Sequence, residues 1–366
     1  MIRIRNRLLA ATLLLGSLAS SASAATTVEV TNFGSNPGKL RMFKHIPDRL
    51  PASAPLVVVM HGCTQDAVTY TNESGWIQMA DQLHVALVMP QQQQANNSNS
   101  CFNWYDPTKT ARDQGEAMSI KQMIDKMKAD YSIDASRVFV TGLSAGGAMT
   151  SVMLADYPNV FAAGAIVAGL PYGCANSLTE ALNCMQTSQP SGGTTAGAVG
   201  SPRNLQGITP ALADFLCPYS PLYCKPAASG RSSGGYTAAQ WGDFVRQASN
   251  ATAYPRVSIW HGSADTTVSP ANATSEMQQW TNVHGIDPAS SVKDTVNGYP
   301  HEVYKDASGK AMVETYSITG MAHGHPVDPG TGPDQCGTAD KYVLNVHICS
   351  SLYAARFFGL ANYPGA

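Results

Sequence analysis

One serine stands in a glycine-flanked pentapeptide in the first half of the chain. Gly142-Leu143-Ser144-Ala145-Gly146 fits the pattern G-x-S-x-G and lies between an apolar run and a predicted helix. At a sharp turn from strand to helix, the glycines leave room around a serine hydroxyl that stands exposed at the edge of a sheet. Such a serine can attack an acyl group and form a covalent acyl intermediate, which water then releases. Ser144 is therefore the candidate nucleophile.

A serine hydroxyl needs a base to remove its proton and an acid to orient that base. In this architecture the chain order is serine, acid, histidine. Asp265 comes directly after a predicted strand, and His323 comes after the last predicted strand. Asp243 and Asp287 compete for the acid role, but neither directly follows a recognisable strand. His325 competes for the base role, and we expect it at the surface or behind the catalytic base.

Acyl transfer also requires donors for the charge that develops on the carbonyl oxygen. One donor is the amide that follows the nucleophile, at Ala145. The second should come from the loop after an early strand, which here reads His61-Gly62-Cys63. We assign it to the amide of Cys63 and expect the His61 side chain to be a buried support for this loop.

Aromatic residues follow the cysteine that could pair with Cys63. Residues 101–105 read Cys-Phe-Asn-Trp-Tyr, and a disulfide to Cys101 would place them beside the oxyanion loop. Such rings either line an apolar crevice for the substrate or belong to the core. The residues predicted to line the crevice are Trp104, Tyr105, Leu143 and Tyr172.

Alternating strands and helices must position these side chains. Short apolar runs predict strands over residues 55–60, 85–89, 137–141, 161–168, 256–260, 302–305 and 312–318. Three- and four-residue spacing predicts helices over residues 112–131, 147–158, 270–284 and 342–358. This alternation is typical of parallel strands joined by right-handed crossovers. The predicted fold is a single α/β-hydrolase domain over residues 25–366, with a mainly parallel central sheet and helices on both faces.

The alternation fails over residues 174–254. Most of this stretch is rich in Gly, Ser, Thr, Ala and Pro, a composition that buries little apolar surface. We expect an irregular insertion near the active site, which either covers the substrate entrance or forms a solvated loop.

The first 24 residues have the pattern of a secretory signal peptide. Three arginines precede an apolar run that is too short to span a bilayer, and Ala22-Ser23-Ala24 fits a cleavage site. The chain has 366 residues, a net charge of −2 and 13% charged residues, so it offers no basic surface for nucleic acid. We expect a secreted, monomeric protein, periplasmic or extracellular, with neither a membrane nor a nucleic acid as partner.

Eight cysteines follow the predicted cleavage site, so export into an oxidising compartment would allow four disulfides. Eight cysteines allow 105 connectivities. Short loops favour Cys174 with Cys184, Cys217 with Cys224, and Cys336 with Cys349, which leaves Cys63 for Cys101. Zinc ligation is disfavoured because no pair has C-x2-C spacing. No metal or organic cofactor is expected.

Four segments together resemble the poly(3-hydroxybutyrate) depolymerase family of esterases, which is related to feruloyl and acetylxylan esterases. They are residues 57–65, 101–105, 142–149 and 168–173. The resemblance implies a secreted α/β-hydrolase that cleaves short-chain polyesters with Ser144, Asp265 and His323. Secreted members usually carry an additional substrate-binding domain, and none is expected between the last predicted helix and Ala366.

Three functions are compatible with these residues. The first is a serine esterase of poly(3-hydroxybutyrate), related short-chain polyhydroxyalkanoates or their oligomers. The second is an esterase of plant-wall ferulate or acetate groups, which would keep the same catalytic residues and differ in the crevice. The third is a non-catalytic binding protein on a hydrolase scaffold, although binding alone has no need of nucleophile, acid, base and oxyanion loop together.

Overall fold

A computed structural model describes residues 25–188, 235–288 and 292–361 of the chain. The strands are β1 Thr26–Val30, β2 Arg41–Ile46, β3 Ala54–Met60, β4 Ala86–Gln91, β5 Ile133–Leu143, β6 Ala163–Val167, β7 Arg256–Gly262, β8 Val292–Val296, β9 Tyr299–Lys305, β10 Ala311–Ile318, β11 His325–Val327 and β12 Val343–Asn345. The helices are α1 Ala67–Glu73, α2 Trp76–Leu83, α3 Pro107–Thr110, α4 Gly115–Asp130, α5 Ala145–Asp156, α6 Leu178–Thr187, α7 Ala238–Ala248, α8 Ala271–Val283 and α9 Ser350–Phe358.

The central sheet combines a parallel middle with antiparallel edges. Its strand order within the described residues is β1-β2-β4-β3-β5-β6-β7-β10-β9-β8. The strands from β4 to β10 in this order are parallel, while β1 and β2 on one side and β9 and β8 on the other are antiparallel. All parallel strands therefore end at one edge, where their following loops can meet.

Strand β3 shows why the middle of the sheet is buried on both faces. Leu56, Val58 and Met60 pack on one side with helices α4, α5 and α8, whereas Val57 and Val59 pack on the other side with α1, α2 and α9. An uninterrupted apolar run suits a parallel strand that is covered by helices on both sides. The predicted α/β-hydrolase architecture is confirmed.

The C-terminal helix is shorter than predicted. The sequence predicts a helix over residues 342–358, but α9 begins at Ser350, and residues 343–345 form β12, which pairs in parallel with β11. The first half of the prediction is wrong because these residues bond to a neighbouring strand. Cys349, in an extended conformation, accepts the Leu352 amide at its sulfur and begins the helix.

The stretch predicted to be irregular begins and ends with helices. Ser177 caps α6, because its hydroxyl accepts the Glu180 amide, and Thr237 caps α7 through a reciprocal capping box with Gln240. Residues 189–234 lie outside the described part, and so do Cys217, Cys224 and the predicted signal peptide.

Three of the predicted disulfides are present. Cys63 bonds to Cys101, Cys174 to Cys184, and Cys336 to Cys349. These bonds agree with an oxidising compartment. Among the described residues, no helix combines the length and the apolar character that a membrane crossing requires.

Candidate active site

Ser144 occupies the sharp turn between β5 and α5. Its backbone has φ 59° and ψ −119°, a strained conformation for a residue other than glycine, which costs about 1–3 kcal/mol. The Ser144 amide donates to the Val167 carbonyl at 2.9 Å and so ties the turn to the neighbouring strand. A Cβ at Gly146 would lie 2.3 Å from the Met60 carbonyl oxygen. The glycine is needed because helix and strand approach this closely.

Asp265 and His323 form a buried pair at the same edge of the sheet. The Nδ1 atom of His323 lies 2.7 Å from Oδ2 of Asp265, and their side chains are 10% and 0% exposed. Two backbone contacts hold their loops together, since the amides of Ser263 and Ala264 donate to the carbonyls of Ile318 and Met321 at 3.0 Å. The chain segments after β7 and β10 therefore act as one unit.

The carboxylate of Asp265 is kept ionised. Burial alone would raise its pKa, but side-chain hydrogen bonds from His261 and His323 and the amide of Val268 outweigh burial, so the pKa is well below its ordinary value. The amides of Thr267 and Val268 donate to Oδ1 at 2.8 and 2.9 Å. This arrangement leaves Oδ2 to accept the Nδ1 hydrogen of His323.

The Nε2 atom of His323 is open. Neither this nitrogen nor the Ser144 hydroxyl has a hydrogen-bond partner among the described residues, and the two side chains are not bonded to each other. Ser144 and the loops of Asp265 and His323 follow β5, β7 and β10, at the same ends of parallel strands. In unliganded enzymes such contacts are often long and tighten when substrate binds.

The loop after β3 lies directly against the nucleophile. A Cβ at Gly62 would be 3.5 Å from the Cβ of Ser144. The Gly62 amide donates to Oε1 of Gln65 at 2.8 Å, and its carbonyl accepts the Nδ1 hydrogen of His61 at 2.7 Å. In the described part of the chain, the amides of Cys63 and Ala145 donate to no other residue. Both are free to bind an oxyanion.

The His61 side chain is buried beneath this loop and contacts its backbone. It is fully buried, and the amide of Gln92 donates to its Nε2 atom at 3.1 Å. Burial lowers the pKa of His61 to about 4, although the bond to the Gly62 carbonyl opposes that shift. The ring is therefore neutral near pH 7 and fixes the Gly62–Cys63 peptide.

A buried glutamate that no sequence pattern singles out holds the segment after Cys101. Glu116 accepts the backbone amide of Asn103 at 2.9 Å, the Asn103 side chain at 2.6 Å and the Gln92 side chain at 2.7 Å. Burial raises its pKa, and these donors oppose the shift. Glu116 thus joins the aromatic segment to the loop that contains Gln92.

The four predicted crevice residues lie in different surroundings. Trp104 and Tyr105 are half-buried, with ring centroids 5.6 Å apart, and both contact the apolar cluster around α6 and α7. Leu143 is instead 1% exposed and belongs to the core. The hydroxyl of Tyr172 donates to Asp156 at the far end of α5. Of the four, Leu143 is buried in the core, while Trp104, Tyr105 and Tyr172 are partly exposed.

His325 is not at the surface. It is 1% exposed, its Nδ1 accepts from the Tyr70 hydroxyl at 3.1 Å, and its Nε2 faces the hydroxyls of Ser350 and Ser351 at 2.9 and 3.1 Å. Burial lowers its pKa to about 3. Both nitrogens are engaged, so His325 anchors β11 behind the candidate base.

The fold and the candidate site together define an α/β-hydrolase. Its parallel sheet is flanked by helices, its strained serine lies between strand and helix, and its acid and histidine lie on later loops. The chain belongs to the esterase PHB depolymerase family. The sequence profile of that family matches residues 46–202. It is therefore a carboxylic ester hydrolase.

Individual relatives support this assignment. The chain is 49% identical over 345 residues to poly(3-hydroxyalkanoate) depolymerase C of Paucimonas lemoignei, an alignment that covers 93% of this chain and 72% of that protein. It is 30% identical over 320 residues to feruloyl esterase B of Talaromyces stipitatus, covering 86% and 77% of the two proteins. An acetyl xylan esterase from Aspergillus awamori has the same fold, with a TM-score of 0.65 at 24% identity, over 92% of this chain and 100% of that one.

Proposed function

We propose that this protein hydrolyses the ester bonds of poly(3-hydroxybutyrate), of related short-chain polyhydroxyalkanoates or of their oligomers. The observation that supports this substrate class best is the 49% identity to a poly(3-hydroxyalkanoate) depolymerase, which extends over 93% of the chain. An alignment that covers 93% of the chain includes the segments on which Ser144, Asp265 and His323 lie.

The geometry fits a mechanism with an acyl-enzyme intermediate. The Ser144 oxygen attacks the ester carbonyl carbon while Nε2 of His323 takes the serine proton, and the amides of Cys63 and Ala145 donate to the resulting oxyanion. When the tetrahedral intermediate collapses, the alcohol part of the ester leaves with the proton from His323. Water then attacks the acyl-enzyme, again with His323 as base, and releases the 3-hydroxy acid and the free Ser144.

Asp265 has a separate part in this mechanism. It is ionised and bonded to Nδ1 of His323 at 2.7 Å, so it selects the tautomer in which Nε2 can accept a proton. It also stabilises the imidazolium that forms in each step.

The site requires no second subunit, because one chain supplies nucleophile, base, acid and both oxyanion donors. We propose that the enzyme acts as a monomer after export, either in the periplasm or in the medium. Support comes from the N-terminal signal pattern and from the three disulfides of the described residues.

The alternative substrate is a plant-wall ester. The 30% identity to feruloyl esterase B favours it, and it would use the same serine, acid and base with a crevice shaped for an aromatic or acetylated substrate.

One experiment separates these functions. Product release is measured in parallel from amorphous poly(3-hydroxybutyrate) granules, from methyl ferulate and from acetylated xylan, with Ser144→Ala as the blank. Serine-dependent release of 3-hydroxybutyrate, with little ferulate or acetate, is the expected result. Ferulate or acetate release with inert granules would overturn the depolymerase assignment. If the Ser144→Ala variant still hydrolyses every substrate, the proposed mechanism is wrong as well.

A further inference from the structure

A second imidazole contacts the acid of the candidate triad. His261 lies near the end of β7, and its side chain is 3% exposed. Its Nε2 atom is 2.9 Å from the carbonyl oxygen of Val268 and 3.4 Å from Oδ2 of Asp265. Both of these atoms are hydrogen-bond acceptors, so Nε2 must carry a hydrogen. That hydrogen is shared between the two oxygens.

The polar contacts of the His261 ring are with the turn after β7, at Asp265 and Val268. Its other nitrogen, Nδ1, is buried and has no hydrogen-bond partner among the described residues. The contacts form a closed circuit, because the Val268 amide donates to Oδ1 of Asp265 while the Val268 carbonyl accepts from His261. The circuit fixes the rotation of the carboxylate, so that Oδ2 faces His323 at 2.7 Å.

We propose that His261 is a positioning residue for ester hydrolysis: it holds Asp265 in the orientation that His323 requires and shares the charge on Oδ2. This role rests on the triad proposed above. His261 does not reach the reacting atoms in this arrangement. It acts through Asp265, and its loss changes the charge on Oδ2, the atom that faces His323.

The electrostatic consequence has a definite direction. In the described part of the chain, the titratable side chains that contact Asp265 are His261 from β7 and His323 from the loop after β10. Without the His261 donor, more negative charge stays on Oδ2 and the protonated form of His323 is favoured. The acid limb of the pH profile of kcat/KM, which reports protonation of the base, should then move to higher pH.

Two amide variants of equal polarity test this role. His261→Gln places an N–H group near the position of Nε2, whereas His261→Asn carries the same amide on a side chain that is too short to reach Oδ2. The expected result is a roughly tenfold lower kcat for His261→Asn, the rate equivalent of one hydrogen bond to a charged group. KM should change less than kcat, and the acid limb should move to higher pH.

The conservative variant should restore what the shorter one loses. His261→Gln is expected to exceed His261→Asn several-fold in kcat and to keep the acid limb close to that of the parent enzyme. A soluble ester such as p-nitrophenyl butyrate serves for both profiles. If His261→Asn does not fold, His261→Leu replaces it as the variant without a donor.

The possible outcomes are distinguishable. Equal losses in the Gln and Asn variants, with an unmoved acid limb, would show that His261 is merely a structural residue. Parent-like kinetics in both would overturn the proposal too. Activity that survives Ser144→Ala and Asp265→Asn would instead refute the triad itself, whatever the His261 variants show.

Discussion

Two clusters around buried side chains in this molecule place histidine against carboxylate in opposite proportions. At the candidate active site, one carboxylate, Asp265, lies between the imidazoles of His261 and His323. At the antiparallel end of the sheet, one imidazole, His301, lies between the carboxylates of Asp294 and Glu314, at 2.7 and 3.4 Å. The two clusters use the same residue types for different purposes.

The second cluster leaves no imidazole nitrogen open. Both nitrogens of His301 face carboxylates, and its ring stacks on Tyr316 with centroids 4.2 Å apart. Glu314 also accepts the Ser258 hydroxyl at 2.6 Å, and this hydroxyl accepts the indole N–H of Trp260 at 2.8 Å. The cluster joins β7, β8, β9 and β10, and neither nitrogen of His301 is vacant for a substrate proton.

The difference shows what separates a stabilising histidine from one that can do chemistry. At the candidate active site, two imidazoles face one carboxylate, so the acid stays ionised and Nε2 of His323 has no partner within the described structure. In the other cluster the excess of carboxylate occupies both nitrogens and favours the charged ring. The number of partners, and not burial alone, distinguishes the two.

The largest expected effect comes from replacing one aspartate in each cluster. Asp265→Asn should lower kcat about 10⁴-fold, because an amide cannot fix the tautomer of His323 or stabilise its charged form. Asp294→Asn is the matched control and should leave kcat within about twofold, since its partner His301 contacts neither Asp265 nor His323 in the described part of the chain. Steady-state kinetics on a soluble ester at pH 7 measure both.

A large loss of kcat in Asp294→Asn, at unchanged thermal stability, would mean that the two clusters are coupled. Comparable activity of Asp265→Asn and the parent enzyme would remove Asp265 from the mechanism.

Much of the site follows from local sequence patterns and sheet topology. Ser144, Asp265 and His323 each follow a predicted strand, and parallel strands end at one edge of a sheet, so their proximity could be predicted. The role of His261 could not, because its partners depend on how the turn after β7 folds back. Glu116 likewise carries no sequence signal, since its partners come from two separate loops.

The edges of the sheet were harder to predict than its middle. Strand β1 is exposed along nearly its whole length, as is β8, so neither has the apolar pattern from which strands are recognised. The sequence pattern predicts a helix at residues 343–345, although they bond to β11. In each case pairing with a distant strand decides the structure, and composition within a short window does not contain that information.

Glu276 is a buried acid that has no imidazole partner in the described part of the chain. Glu276 on α8 is fully buried, and neither carboxyl oxygen has a hydrogen-bond partner among the described residues. A Cβ at Gly169 would lie 3.2 Å from its Oε1 atom, which places the carboxyl beside the end of β6. Burial raises its pKa well above the ordinary value of 4.5, the opposite of the shift at Asp265.

Glu276→Gln should therefore stabilise the protein in a pH-dependent way. Above pH 4.5 the unfolded chain loses this proton while the folded chain keeps it, so the parent loses about 1.4 kcal/mol of stability per pH unit until the folded carboxyl ionises. The variant has no carboxyl group at this position, so it does not lose this stability as the pH rises. Urea unfolding of both proteins at about pH 5 and pH 7.5 measures the difference. A difference that stays constant between these pH values would show that Glu276 is ionised in the folded state.

The smallest expected effect concerns His301. Burial would lower its pKa, but Glu314 and Asp294 outweigh burial and raise the pKa above 6.5. Because the folded value is the higher one, the stabilisation is fully present below the unfolded pKa and disappears as pH rises through the folded pKa. His301→Gln should thus cost about 1–2 kcal/mol near pH 5.5, with the exposed Asp294 contact contributing little, and less near pH 9.

Urea unfolding at both pH values tests this, with kcat as the second measurement. Unchanged kcat at pH 7 is expected, because the ring holds strands together and takes no part in proton transfer. A cost of His301→Gln that grows towards pH 9 would show that the ring is neutral in the folded protein. The two clusters would then differ in position but no longer in charge, and occupancy of both nitrogens would remain as the property that excludes His301 from chemistry.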